Sequence, residues 1–284
     1  MEGRKQSIAE IHLAVLLFGF AGLFAKFTSQ SSIIITLGRV LFASTTLLMI
    51  FFIRKQKIRL SSANDYIFLL ISGVILAFHW ITFFQSIKVS TVAIGLITYS
   101  TFPAFTVLFE PYFFGEKFIL KNLFISFLCI AGIILIIPEY EFSNNITQGA
   151  IWGVISGLSF AFLQIYNRKF VQKYSSLTIT FYQTGTATFI LLPSLFLSHV
   201  NFTGKDILIF VLLGIVFTAF AHSLFIKGLK FIKVQTAGLI ALLEPVYGIF
   251  FALFLINEIP SFRIISGGLI IIVSTLYLTV TSGK

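Results

Sequence analysis

The sequence predicts an all-α membrane protein with ten transmembrane helices arranged as two inverted five-helix repeats. Three observations support this prediction. Hydrophobic residues make up 57% of the 284 residues, charged residues make up only 11%, and the mean hydropathy is +1.01. Apolar runs of about 20 residues, the length that crosses a bilayer, recur along the whole chain. Matching features also return at a constant spacing in the two halves.

The clearest internal repeat consists of two apolar stretches, each with a proline near its middle and a glutamate at its end. Pro103 and Glu116 in the first stretch lie 142 residues before Pro245 and Glu258 in the second. Proline removes one backbone hydrogen bond and bends a helix. In lipid, the carbonyl that is freed must find a partner within the protein or face a cavity. Two bent helices at matching positions are typical of a transporter's central site.

The predicted helices divide into two sets of five. The first repeat covers residues 1–138, a polar linker loop covers 139–148, and the second repeat covers 149–284. The predicted helices 1 to 10 cover residues 8–27, 33–53, 66–87, 91–114, 120–137, 149–166, 177–198, 207–226, 234–256 and 262–280. Small residues at helical spacing, such as Gly149, Gly153 and Gly157, indicate close helix packing, within one chain or between copies.

The distribution of basic residues predicts the orientation in the membrane. With the N-terminus in the cytoplasm, the outer loops hold only Lys88, Lys205 and Arg263. The segments on the cytoplasmic side hold Arg4, Lys5, Arg54, Lys55, Lys57, Arg59, Lys117, Lys121, Arg168, Lys169, Lys173, Lys227, Lys230, Lys233 and Lys284. The positive-inside rule therefore places both termini in the cytoplasm and the chain in the cytoplasmic membrane. This asymmetry also explains the net charge of +10 without a nucleic-acid partner.

Ionisable side chains inside apolar helices are the first candidates for function, because each costs about 2.5–3.5 kcal/mol at the bilayer centre. Glu244 directly precedes Pro245 near the middle of helix 9 and fits a proton carrier or a ligand for a substrate amine. Pairing with a basic side chain is the alternative. Glu110 lies nearer the cytoplasmic end of helix 4, where pairing or gating is as plausible as substrate contact.

Two histidines and one arginine complete the buried ionisable set. His79 and His222 occur in helices 3 and 8 and fit proton relay or binding of a carboxylate, with simple packing as the alternative. Arg39 lies about two helical turns from the outer end of helix 2. It could snorkel to the interface, or it could contact an anion or form an internal ion pair.

Aromatic and amide side chains provide the remaining candidates, since they combine apolar surface with a polar group and can hold cations. The predicted substrate-binding residues are His79, Trp80, Phe83, Tyr99, Gln164, Tyr182, His222, Glu244 and Tyr247. The predicted coupling or gating residues are Arg39, Glu110, Pro103 and Pro245. We expect them to surround a cavity between helices 1, 3, 4, 6, 8 and 9, with helices 5 and 10 as packing elements.

No enzymatic, cofactor or metal motif emerges from the sequence. A P-loop and an HExxH motif are both absent, and the single cysteine, Cys129, rules out an intrachain disulfide. The two histidines have no further metal ligands near them in the sequence. We therefore expect a protein that is not an enzyme, with no cofactor and no metal.

Three stretches carry a resemblance to a known family. They are LGRVLF (37–42), FPAFTVLFEPYFFGEK (102–117) and LLEPVYGIFFALFLINE (242–258). In these residues the chain resembles the ten-helix members of the drug/metabolite transporter superfamily, which have two EamA-like domains. The resemblance implies transport of small organic solutes, commonly amino acids or related metabolites and often outward. One departure is Glu110-Pro111, since the matching positions in helix 9 are Ala252 and Leu253.

Together, the residues and the resemblance predict a secondary transporter that exports small metabolites such as amino acids by alternating access, with protons as the coupling ion. Facilitated diffusion needs no titratable group and is the alternative to coupling. One alternative keeps the fold and imports a nucleoside-like or cofactor-like metabolite. The other is a membrane scaffold that transports nothing, although such a scaffold gains little from charges buried in mid-helix.

Overall fold

The computed structural model describes residues 2–115, 128, 130–137, 141–197 and 200–282, and these ranges contain helices and no strands. The helices of the first half are α1 (Glu2–Ala21), α2 (Phe24–Phe27), α3 (Ser32–Ile53), α4 (Ala63–Val89), α5 (Val92–Tyr99) and α6 (Phe102–Phe114), followed by helical residues 130–136. Those of the second half are α7 (Asn145–Phe170), α8 (Ser176–Leu191), α9 (Ser194–Leu197), α10 (Gly204–Gly214), α11 (Ala221–Gly228), α12 (Val234–Ala241), α13 (Glu244–Ile256) and α14 (Phe262–Ser282). A π-helical segment, Ile215–Phe220, joins α10 to α11.

Seven helical stretches in the described residues are long and apolar enough to cross a membrane. They are Gly3–Phe27, Ser32–Ile53, Ala63–Val89, Val92–Phe114, Asn145–Phe170, Gly204–Gly228 and Thr236–Ile256. Large apolar side chains on the outside, including Phe52, Phe189 and Phe196, are more than 80% exposed, as a lipid-facing surface requires. The prediction of an all-α membrane protein is therefore confirmed. The inverted pairing of two five-helix halves stays a prediction.

Several predicted boundaries differ from the observed ones: helix 1, for example, begins at Glu2 instead of 8. Two of the differences have a clear local cause. Helix α7 begins at Asn145, four residues before the predicted start at 149, so the linker loop is shorter than 139–148. The Asn144 side chain accepts hydrogen bonds from the Ile146 and Thr147 N–H groups at 2.8 and 3.3 Å and caps the helix. The predicted seventh helix corresponds to α8, which ends at Leu191 instead of 198. Pro193 lacks the N–H that would continue the helix. Glu116, Pro138 and most of predicted helix 5 lie outside the described residues.

The two proline-containing helices are each broken into two pieces at the same point. Helices α5 and α12 have eight residues each, and α6 and α13 have 13 residues each. Pro103 and Pro245 occupy the second position of α6 and α13, where a missing N–H is tolerated. Both longer pieces end on a left-handed residue, Gly115 and Asn257. All corresponding boundaries are 142 residues apart, so the sequence repeat is also a structural one.

Glu258, the glutamate that ends the second repeat stretch, has a structural role. Its two carboxylate oxygens accept hydrogen bonds from the Val92 and Ala93 N–H groups, each at 3.0 Å. These N–H groups belong to the first turn of α5 and have no partner within the helix. Glu258 therefore caps α5 and joins the end of α13 to the start of the other broken helix.

The glycine stripe of α7 brings this helix close to α5. A side chain at Gly157 would lie 2.8 Å from the Tyr99 carbonyl oxygen, and one at Gly149 would overlap Ser90. Helix α14 and residues 130–137, the described part of the predicted fifth helix, pack against α5 (Val92–Tyr99). The contact is made through isoleucines, including Ile136 and Ile271. Helix α14 and the described residues 130–137 thus lie beside α5, and the role of predicted helices 5 and 10 as packing elements stays a prediction.

Candidate functional site

A small buried cavity lies at the centre of the bundle and is lined by both halves of the chain. Its walls are Phe18, Ala21, Arg39, His79, Trp80, Phe83, Tyr99, Phe160, His222 and Glu244. The sequence predicts that helices 1, 3, 4, 6, 8 and 9 surround the cavity, and each of these six contributes at least one wall residue. Helix α3 also contributes one, Arg39. The cavity volume is about 30 Å³, which is room for about two water molecules. Sites for small organic ligands usually exceed about 300 Å³, so this conformation has no room for such a ligand at its centre.

Arg39 is held inside the bundle by three contacts. The guanidinium carbon lies 3.8 Å from the centre of the Trp80 ring, a cation–π arrangement. The Nε atom donates to the Thr218 hydroxyl at 2.9 Å, and Nη2 donates to the Phe217 carbonyl oxygen at 3.3 Å. Both acceptors belong to the π-helical segment, a type of irregularity that is frequent at functional sites. The side chain is 2% exposed, so the snorkelling alternative is wrong.

Glu244 faces the same cavity from the first residue of α13, beside the break before Pro245. The side chain is 3% exposed, and its Oε2 atom has no hydrogen-bond partner among the described residues. Arg39 and Glu244 influence each other electrostatically. No ion pair within 4.0 Å joins these two described residues. The cavity therefore contains a guanidinium and a carboxyl group that are not paired with each other.

Each cavity histidine is fixed by a neighbouring helix. The Nδ1 atom of His79 lies 2.9 Å from the Ser156 hydroxyl and 3.1 Å from its carbonyl oxygen. The Nε2 atom of His222 lies 3.1 Å from Oε1 of Gln183. The Nε2 atom of Gln183 donates in turn to Oδ1 of Asn167 at 2.7 Å. Helices α7 and α8 thus orient the two imidazoles that α4 and α11 carry.

Aromatic rings form the rest of the wall. The Phe160 ring stacks on His79 at 4.8 Å and lies 5.3 Å from Tyr99. The Trp80 ring meets His222 edge to face at 5.5 Å while its face covers Arg39. The cavity therefore offers flat apolar surfaces beside its charged and polar groups.

Three predicted substrate-binding residues do not line this cavity. Gln164 is 1% exposed, and neither of its amide atoms has a partner among the described residues. The Tyr182 hydroxyl donates to the Ile58 carbonyl oxygen at 3.1 Å, and its ring packs on Tyr66. Tyr247 packs beside Gly19 of α1.

The predicted gating residues occupy distinct places. Glu110 is buried in α6 and forms an ion pair with Arg168 of α7. Pro103 and Pro245 stand at the helix breaks described above. At the same end of the bundle, Lys173 in the turn after α7 pairs with Asp65 at 2.5 Å, and this hydrogen bond raises the pKa of Lys173.

The sequence reasoning missed several wall and support residues. Phe18, Ala21 and Phe160 line the cavity, and Arg168 is the partner of Glu110. Phe18 and Phe160 lie 142 residues apart, so extending the repeat into helices 1 and 6 would have identified both. Among the described residues, no three His, Cys, Asp or Glu side chains are grouped so that they could hold a metal ion.

Comparison with known proteins shows the class to which this fold and cavity belong. The chain belongs to the EamA-like transporter family, which matches residues 7–137 and 147–280. The resemblance to the drug/metabolite transporter superfamily is thereby confirmed. The chain is a multi-pass membrane transporter of this type for a small-molecule substrate, and not an enzyme.

Individual relatives cover most of the chain at low identity. It is 27% identical to an uncharacterized transporter, YxxF, of Bacillus subtilis (strain 168), over 87% of this chain and 80% of the relative. It is 22% identical to a protein of Rickettsia bellii (strain RML369-C) named S-adenosylmethionine uptake transporter, over 86% of this chain and 81% of the relative. A solved crystal structure matches with a TM-score of 0.69 and 17% identity, over 98% of this chain and 99% of its own, which shows a shared fold.

Proposed function

We propose that this chain is a secondary transporter that exports small organic metabolites such as amino acids across the cytoplasmic membrane by alternating access. The observation that carries the proposal is that Arg39 and Glu244 share one buried cavity without forming an ion pair. A guanidinium and a carboxyl group that do not pair with each other are costly inside a membrane protein unless a ligand uses them.

The chemistry of the two groups fits the two ends of an α-amino acid. A guanidinium binds a carboxylate through parallel charge-assisted hydrogen bonds, and a carboxylate binds an ammonium group. The aromatic wall of Trp80, Tyr99 and Phe160 would then contact the rest of the solute. The cavity must enlarge to admit such a solute, because its present volume is about 30 Å³.

Alternating access would use the two broken helices. Helices α5–α6 and α12–α13 break at matching points beside the cavity, and bending there would open one side or the other. The proposal includes inverted five-helix halves and cytoplasmic termini, supported by the distribution of basic residues. It also assigns proton coupling to Glu244, whose buried Oε2 has no partner among the described residues.

The experiment is uptake of labelled amino acids by proteoliposomes with an imposed pH gradient. We expect the wild-type protein to respond to the gradient and Glu244→Gln to lose at least about tenfold in rate together with that response. Glu141→Gln, which alters an exposed carboxyl group, is the matched control and should behave as wild type. Uptake and gradient response that are unchanged in Glu244→Gln would remove Glu244 from the mechanism. A wild-type rate that is independent of the gradient would exclude proton coupling and favour facilitated diffusion.

A second candidate keeps the fold and changes the solute and direction. The relatives named S-adenosylmethionine uptake transporters cover 86% of this chain, and S-adenosylmethionine joins an α-amino-acid end to an adenine ring. Arg39 and Glu244 would bind the first part, and the aromatic wall would stack on the second. Labelled S-adenosylmethionine belongs in the same assay. Transport of this compound in preference to free amino acids would favour import of a cofactor-like metabolite.

A further inference from the structure

Two stripes of side chains run side by side from the cavity to one end of the bundle. Positions along each stripe are four residues apart, so they share one helix face. The stripe on α6 is Phe102, Thr106 and Glu110, and the stripe on α7 is Phe160, Gln164 and Arg168. The Phe102 and Phe160 rings meet at 4.9 Å beside the cavity, and Glu110 pairs with Arg168 at the far end. Eight residues of helix separate these two contacts, a distance of about 12 Å.

Gln164 lies between the two contacts and has an unusual environment. It is 1% exposed, and both of its amide atoms lack a partner in the described part of the chain. The Nδ2 atom of Asn167, one turn further along α7, also lacks one. Buried amides are normally hydrogen-bonded, and an apolar residue would fill the same space at lower cost. We infer that these amide groups contact water or solute in another conformation of the protein.

The matching stripes in the other half are built differently. The residues 142 positions away are Phe18 of α1, Gly22 in the turn before α2 and Lys26 of α2, and Glu244, Gly248 and Ala252 of α13. Lys26 donates to the Ser90 carbonyl oxygen at 2.7 Å, and position 252 offers no acid. A side chain at Gly248 would lie 2.9 Å from the Gly19 carbonyl oxygen, so this side is closed by backbone contact. Within the described residues, the ion pair and the unpartnered buried amide of Gln164 are found on the α6–α7 side and not on the α1–α13 side.

We propose that the Glu110–Arg168 ion pair locks a solute path between α6 and α7, and that Gln164 contacts the solute on this path when the lock opens. The path leads from the cavity to the end of the bundle that is rich in basic residues. In the part of the chain that the structure describes, the Arg168 guanidinium also lies 4.6 Å from the Phe114 ring centre, so Arg168 contacts both Glu110 and Phe114 at this end. The inference rests on the proposed alternating access. The proposed lock explains why the chain has a glutamate at position 110, where the matching position of the second half has Ala252.

The test measures access to Gln164 directly. Cys129, the single cysteine, is replaced by serine, Gln164→Cys is introduced, and the purified protein in nanodiscs is treated with a soluble maleimide. We expect Glu110→Gln to raise the labelling rate at least about tenfold, because loss of this partly buried ion pair shifts the population of closed molecules. Arg168→Gln is a second way to break the pair and should have the same effect. The exchanged pair, Glu110→Arg with Arg168→Glu, should restore slow labelling.

A matched control uses another ion pair at the same end. Glu10 pairs with Lys227 at 2.5 Å, and a crevice lined by both residues also includes the turn after α7. Glu10→Gln should leave the labelling rate unchanged. Equal labelling in the parent, Glu110→Gln and Arg168→Gln proteins, each folded by its melting curve, would overturn the lock. An equal rise in Glu10→Gln would do the same.

The labelling readout separates this inference from the proposed function. Faster labelling of Glu110→Gln in a protein that transports no solute would keep the lock and refute the transport proposal. Transport by the wild-type protein, together with equal labelling rates in the parent and Glu110→Gln proteins, would refute the lock alone.

Discussion

Arg39 shows how a single charged residue can be stable in the middle of an apolar helix. A guanidinium at the bilayer centre requires acceptors and a suitable surface. Thr218 and Phe217 supply the acceptors, and Trp80 supplies an aromatic face. Arg39 also lines the cavity, and a guanidinium has more N–H donors than these two hydrogen bonds use. The residue is thus held by the protein and still faces the centre.

Arg39→Lys should weaken solute binding by at least about tenfold while the protein remains folded. Lysine keeps the positive charge, but its ammonium group is not planar. It cannot stack on the Trp80 ring and at the same time donate hydrogen bonds to Thr218 and Phe217 as the guanidinium does. Calorimetric titration with the transported solute measures the affinity. Arg263→Lys, at an exposed position, is the control and should bind as wild type. An Arg39→Lys protein with wild-type affinity would show that the guanidinium does not bind the solute.

At this scale the sequence predicts which residue types are unusual but not what they touch. Glu244 and Arg39 stand out because charges in apolar helices are rare, and both line the cavity. The acceptors of Arg39 could not be predicted, because they depend on the π-helical segment of a distant helix. The partner of Glu110 lies 58 positions further along the chain and, in the sequence, is one of many basic residues near helix ends. Tyr182 and Tyr247 have the expected chemistry, but neither lines the cavity.

The broken helices are the elements on which the site depends. Proline at the second position of α6 and α13 explains why each predicted long helix is two pieces. Position and spacing of the prolines were readable from the sequence, whereas the two-residue interruptions were not. The start of α7 was mispredicted because the asparagine cap was taken as part of a polar loop. Local hydrogen bonds decide such boundaries, and composition alone does not reveal them.

Gly19→Ala should destabilise the contact between α1 and α13. The new methyl group would lie 2.9 Å from both the Glu244 carbonyl oxygen and Cβ of Tyr247, so the helices must separate. Overpacking of this kind costs about 1–3 kcal/mol, and we expect a lower melting temperature in detergent.

Gly185→Ala is the control for this substitution. Gly185 also lies within a helix, α8, and a methyl group there would meet no atom within 4 Å. Its melting temperature should equal or exceed that of wild type, because alanine is the better helix former. Equal melting temperatures of Gly19→Ala and wild type would mean that the close approach of α1 and α13 adds no stability.

At the scale of the whole molecule, the two sides of the cavity are closed by different means. Aromatic contact, a buried amide and an ion pair close the side between α6 and α7. Glycine contacts close the side between α1 and α13. In the proposed alternating access, only one of these two barriers opens at a time. The repeat in the sequence predicts two matching helices, but the unequal barriers depend on residues that break the repeat.

The most direct test of the account is a density map of the protein in a nanodisc with its transported solute bound. The account predicts an enlarged central cavity with the solute between Arg39 and Glu244 and in contact with Trp80. Solute density elsewhere, or a centre that stays filled by protein side chains while the solute is transported, would contradict it.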